Sequence, residues 1–208
     1  MLMQSLTLYD GLVTVRRFPL IRTTKPSISA VETVTLLSIG AGAAVAGALI
    51  DLSLRIPGHA ILLVVFPMTL GLSLVPRRLA GTIMGGGALM TAATMRVGGL
   101  ADFSPGALTS LCLAGPLMEV ALRRARAGWR LYASLVLAGL ATNSAAFAVR
   151  AAAKLLLIDV GGRPFADWWP QASLTYPLCG AVAGLVSAVA FFQFSQSRAP
   201  AVAPPADS

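Results

Sequence analysis

The stretch LYASLVLAGLATNSAAFAVRAAAKLLLI, residues 131–158, is apolar enough to cross a bilayer, yet it carries Asn143, Arg150 and Lys154. At about 100° per residue these three side chains fall in one narrow arc, with Tyr132, Gly139 and Phe147 on or beside the same face. A charge near mid-membrane costs about 2.5–3.5 kcal/mol on insertion scales, so such a stripe turns toward protein or a water-filled cavity. Three roles fit Arg150 and Lys154: anchors that snorkel to the outer headgroups, ligands for a bound solute, or polar packing between helices.

The rest of the chain sets that helix among others. Of 208 residues, 56% are hydrophobic and only 12% charged, with a mean hydropathy of +0.78. That composition excludes an ordinary soluble domain and leaves room for one membrane bundle. Spans are expected over roughly 33–50, 60–76, 79–95, 105–122, 131–156 and 174–194, giving an all-α polytopic membrane protein of about six transmembrane helices. Residues 1–30 read as a basic cytoplasmic arm with no cleavable signal, 31–195 as the membrane domain, and 196–208, rich in Pro and Ala, as a disordered tail. The net charge of +8 sits at the ends of apolar runs, which points to membrane topology and away from nucleic acid. Cys112 and Cys179 lie inside apolar spans and read as small packing residues.

Basic residues set the orientation. Arg16, Arg17, Arg22, Lys25, Arg77, Arg78, Arg123, Arg124, Arg126, Arg130 and Arg198 fall on one side. Arg55, Arg96, Arg150, Lys154 and Arg163 fall on the other. Under the positive-inside rule this places both termini in the cytoplasm.

In the first span, Gly40, Ala44 and Ala48 recur every four residues, as do Ala43 and Gly47. Such faces admit another helix closely, either inside the bundle or from a partner protein. Gly81, Gly85, Gly86 and Gly87 in the third span imply a tight helix crossing or a ligand against backbone. The outward connections hold His59 (the only histidine), Arg96, and the pair Trp168 and Trp169, which suit an interfacial belt or a lid over a ligand. At the inner end of the fourth span, Glu119 and Arg123 have ion-pair spacing and read as a solvated helix end. The arginine-rich turn that follows suits anionic headgroups or an acidic partner.

No phosphate-binding loop, zinc-protease motif, nucleophile elbow or paired CxxC occurs, so the chain reads as a non-enzyme with no cofactor and no metal site.

The segment SPGALTSLCLAGPLMEVALRRARAGWR, residues 104–130, leads from a Gly/Ala-rich helix through Gly-Pro and an acidic residue into a basic turn. With six spans and an alanine-rich first helix, the chain resembles the substrate-binding S component of energy-coupling factor (ECF) transporters over roughly 31–195. That resemblance implies a bacterial-type inner-membrane protein for micronutrient uptake. Its partners would be a transmembrane coupling subunit and ATPase subunits on other chains, with Ala44 and Ala48 matching the docking motif. The N-terminal metal-binding histidine of the cobalt and nickel members is absent, since Met1 is followed by Leu2, which points away from a metal ion. The expected pocket lies among the outer halves of spans three, five and six. Asn143, Arg150, Lys154, Trp168, Trp169, Arg96 and His59 are its candidate residues, and the cations favour an anionic or zwitterionic solute. A stand-alone permease and a non-transporting scaffold are the alternatives.

Overall fold

Every regular element among the residues described by the computed structural model (28–50, 57–124, 128–156 and 163–197) is a helix. The expected basic arm up to residue 27 and the tail from 198 lie outside the described residues. The helices are α1 (Ala30–Leu49), α2 (Ile61–Leu74), α3 (Ala80–Val97), α4 (Pro105–Arg124), α5 (Trp129–Leu155) and α6 (Phe165–Ser197). Four of them, α1, α4, α5 and α6, are long and apolar enough to cross a membrane. The protein is membrane-embedded.

The six expected spans are thus six helices of unequal reach. α2 has 14 residues, about 21 Å of helix against a hydrocarbon core of about 30 Å. It ends before Pro76, and Pro67 sits inside it. In α3 the glycines, threonines and Arg96 dilute the hydropathy of its 18 residues.

Helix order in space differs from order in sequence. α1 packs on α3, α3 on α4, α4 on α5 and α5 on α6, while α2 touches all of the others. A short helix that is apolar all round suits that central place, because it has no face to give to water. Met68 of α2, Met84 of α3 and Met118 of α4 are all fully buried, together with Leu36, Leu111, Leu131 and Leu135. Flexible thioethers fill the uneven space between helices that cross at different heights.

Those crossings rest on glycine. A Cβ on Gly81 would run into the Gly115 carbonyl, one on Gly85 would lie 2.7 Å from the Cys112 carbonyl oxygen, and one on Gly87 2.9 Å from that of Leu37. The cluster in α3 is therefore a two-sided crossing, on α4 and on α1. Gly139, Gly180 and Gly184 bring α5 and α6 backbone to backbone in the same manner.

The arginine-rich end is built more tightly than the sequence suggests. α1 starts with a reciprocal cap: Glu32 N–H donates to Ser29 Oγ at 3.2 Å and Ser29 N–H to Glu32 Oε2 at 2.8 Å. The Arg77 Nε donates to the same carboxylate at 3.0 Å, tying the α2–α3 turn to α1. Glu119 is no solvated helix end. It is 2% exposed and accepts from Leu79 N–H at 2.6 Å, Gly81 N–H at 2.9 Å and the Arg123 guanidinium. A carboxylate from α4 therefore caps α3, whose first amides lack partners in their own helix.

Candidate functional site

The connection entering α2 approaches α5 and α6 at the end of the bundle away from Arg77 and Arg123. Gly58 has a φ of 86° there. A Cβ on it would lie 2.9 Å from the Tyr176 ring and 3.1 Å from Asn143 Nδ2. Only glycine combines that conformation with that approach. The Asn143 amide then donates to the Gly58 carbonyl at 3.1 Å and to the Tyr176 carbonyl at 2.7 Å.

Between this connection and the start of α4 lies a cavity of about 120 Å³. Asn143 and Arg150 of α5, Tyr176 of α6 and His59 line one part of it. Ser104, Gly106, Ala107 and Ser110 of the α4 start line another, and Pro57, Ala60 and Ile61 complete the lining of what is a half-open pocket. α4 begins with Ser104 ahead of Pro105, and Ser104 Oγ accepts the Ala107 N–H at 3.3 Å. Serine before proline is a strong helix-start pair, since proline needs no hydrogen-bond acceptor at the first position. Gly106 lets that start press against α5, where a Cβ would lie 3.2 Å from Arg150 Cβ.

Arg150 reaches Tyr176 Oη at 3.4 Å, and its guanidinium carbon lies 5.8 Å from the Trp168 ring centre. Lys154 Nζ is also 5.8 Å from that ring and donates to the Arg163 carbonyl at 3.2 Å. Trp168 stacks on Phe147 at 5.6 Å and meets Tyr176 edge-on at 6.1 Å. Two cations against one indole face a ring quadrupole that attracts both, by about 0.5–2 kcal/mol each.

The chain matches no family model, no curated protein and no solved structure.

Several sequence expectations need correction against this geometry. Asn143 lines the cavity, but both hydrogens of its amide are committed to backbone carbonyls, so it is first a tether between α5, α6 and the α2 entry. Lys154 is 8% exposed and off the cavity wall. It turns into protein and holds the chain entering α6, and it does not snorkel outward. Trp168 and Trp169 belong to α6, which starts at Phe165 and not near residue 174. Trp168 backs Arg150 from outside the cavity lining, while Trp169 is 42% exposed and packs on Phe147 and Phe165. Arg96 lies apart, 3.8 Å from Asp102 on the surface. The third span contributes no described wall of the cavity; the starts of α2 and α4 take its place.

The docking face of α1 also moves inside. Ala44 is fully buried and Ala48 packs against the same core. One turn before Ala44, a Cβ on Gly40 would run into the Met84 carbonyl of α3. Small residues at four-residue spacing mark a close helix neighbour, and that neighbour is α3.

Tyr176, Ser104 and Ser110 are the hydroxyl-bearing cavity residues that the sequence reading missed, along with the small and apolar residues of the α2 and α4 starts. The Ser-Pro pair at 104–105 was a usable signal for one of them. Nothing local marks Tyr176, which meets Asn143 from 33 residues away.

Proposed function

We propose that this protein is the solute-binding component of an ATP-driven importer in a bacterial-type inner membrane. A coupling subunit and ATPases on other chains would complete it, in keeping with the resemblance to ECF S components. Its work is capture and not catalysis. The observation that supports capture is the cavity at one end of the bundle, mainly apolar in its lining, with Asn143, Tyr176 and the Arg150 guanidinium on its wall. The opposite half is filled with Met68, Met84 and Met118 and crossed at Gly81 and Gly115. A bundle so closed needs a partner to move a solute onward, which favours an assembly over a lone permease. Docking would use a surface other than the buried Ala44 side of α1.

Native mass spectrometry of the gently purified protein should find a retained small molecule. ATP-dependent uptake should need the partner subunits; uptake by this chain alone would favour the permease. Loss of any bound molecule from freshly purified, folded protein would leave the scaffold reading.

The orientation has its own test. In a variant lacking Cys112 and Cys179, cysteines at Arg78 and Arg124 should resist an impermeant thiol reagent in intact cells. Cysteines at Leu100 and Pro164 should label. The reverse pattern would turn the protein over and put the cavity on the cytoplasmic side.

A further inference from the structure

We infer that the arginine-rich end of the bundle holds an anionic phospholipid, its phosphodiester between Arg78, Arg123 and Arg124. This site is separate from the cavity and does not depend on the capture reading. The two ends of the bundle treat their cations differently. Among the described residues, those at the cavity end are engaged: Arg96 with Asp102 at 3.8 Å, Arg150 with Tyr176 at 3.4 Å, Lys154 with the Arg163 carbonyl at 3.2 Å and Arg163 with Gln171 at 3.1 Å. At the other end both carboxylates are already taken. Glu32 serves Ser29 and Arg77, and Glu119 serves Leu79, Gly81 and Arg123. Arg78, Arg124 and Arg130 are exposed there, and among the described residues no side-chain hydrogen bond or ion pair engages them.

Glu119 gives this end a fixed geometry. Its Oε1 accepts from Leu79 N–H at 2.6 Å and also from the Arg123 guanidinium. One oxygen thereby draws the α2–α3 turn, with Arg78 directly before Leu79, up to the end of α4. The Arg123 side chain stays 39% exposed, so part of its guanidinium fork still faces outward. Guanidinium groups take phosphate oxygens through paired N–H donors. A phosphodiester, with its single charge spread over two free oxygens, suits a head held by several of them.

The surface beside these arginines selects a lipid over other anions. Leu79, which follows Arg78 into α3, is 59% exposed. Val120, one turn before Arg124 on the same face of α4, is 40% exposed. Trp129 opens α5 at 65% exposure, and an indole at such a helix end sits at headgroup level. A free phosphate would use the arginines and leave this apolar surface untouched. An acidic protein would reach the arginines from the water side, with no use for side chains that run along the acyl region. A lipid meets both, with charge at one level and hydrocarbon at the next. Arginines beside a membrane attract anionic lipid diffusely; the turn tied to Arg123 through Glu119 makes the attraction local.

The test is native mass spectrometry of the purified full chain in detergent, titrated with phosphatidylglycerol or phosphatidylcholine, with inorganic phosphate as competitor. Phosphatidylglycerol should bind in preference to phosphatidylcholine. Arg78→Gln combined with Arg124→Gln should weaken it by about tenfold or more, as two removed cations require. Arg96→Gln, at the opposite end, should change nothing. Arg123 stays in place, because its loss would disturb Glu119. Leu79→Asn puts in a residue that tolerates the left-handed turn; it should also weaken the lipid, although no cation is lost. Arg78 and Arg124 pair with no described residue, so unfolding midpoints measured without lipid should match the parent's. Equal binding of the two lipids would leave only an apolar annulus and overturn the site. Full displacement of the lipid by inorganic phosphate would do the same, as the mark of a free-anion site. Undiminished phosphatidylglycerol binding by the double arginine variant would also overturn it, and would give the arginines to an acidic protein surface.

Discussion

Gly81→Ala should destabilise the bundle by about 3 kcal/mol, the upper part of the range for overpacking a filled interior. The same substitution at Gly86, in the same helix, should be neutral or stabilise by up to about 1 kcal/mol through helix propensity. At Gly81 the new methyl would enter the Gly115 carbonyl and lie 3.0 Å from Glu119 Cβ, whereas Gly86 has nothing within 4 Å. A backbone carbonyl cannot swing aside as the end of a side chain can, so α3 and α4 must separate. Separation would also pull Gly81 N–H from Glu119. Thermal unfolding in a mild detergent compares the two variants directly. Equal midpoints would mean that α3 and α4 do not cross at this glycine.

The contrast between Gly81 and Gly86 also marks what the sequence could tell. Four glycines in one span announce a close approach, and α3 does lie close to both neighbours. Which glycine meets which helix depends on α2 taking the centre, a choice made by tertiary packing and invisible in any local period. Helix identity was legible from apolar runs broken by arginine and proline. The start of α6 was not, because Asp167, the tryptophan pair, Pro170 and Gln171 look like a connection. α6 nonetheless runs through Pro170, as membrane helices can when other groups satisfy the freed carbonyl.

The polar stripe of α5 divides in the same way. Its inward turn followed from the cost of charge in lipid, and Asn143, Arg150 and Lys154 do face protein. Their partners were illegible, since Asn143 joins Gly58, 85 residues away, and Lys154 meets a backbone carbonyl that no side-chain pattern announces. The Ala44 face shows the converse limit. Small residues specify that something approaches, and not whether it belongs to the same chain.

Glu119 carries the second large expectation. Glu119→Ala should cost about 3–5 kcal/mol, the range for breaking a buried ion pair from one side, and should lower expression sharply. The carboxylate holds Leu79 N–H, Gly81 N–H and Arg123 together. Without it, two amides at the start of α3 lose their acceptor and a guanidinium loses its counter-charge. The position also restrains a strained residue, since Leu79 has a φ of 70°, a left-handed conformation that costs a bulky side chain about 1–3 kcal/mol. Glu119→Gln separates these contributions. Glutamine keeps the shape and one acceptor but turns an NH2 group toward a donor, so about 2 kcal/mol should be lost. Leu79→Gly should recover part of that loss, because glycine adopts the turn without strain. Arg123→Gln should cost less than Glu119→Gln, as the arginine side chain is 39% exposed and water can replace its partner. Unfolding midpoints for the four single variants and the Glu119→Gln/Leu79→Gly pair give the coupling between the two positions. Neighbours that share one hydrogen bond should couple by more than about 0.5 kcal/mol. A Glu119→Gln protein as stable as the parent would mean that this carboxylate does not hold the start of α3.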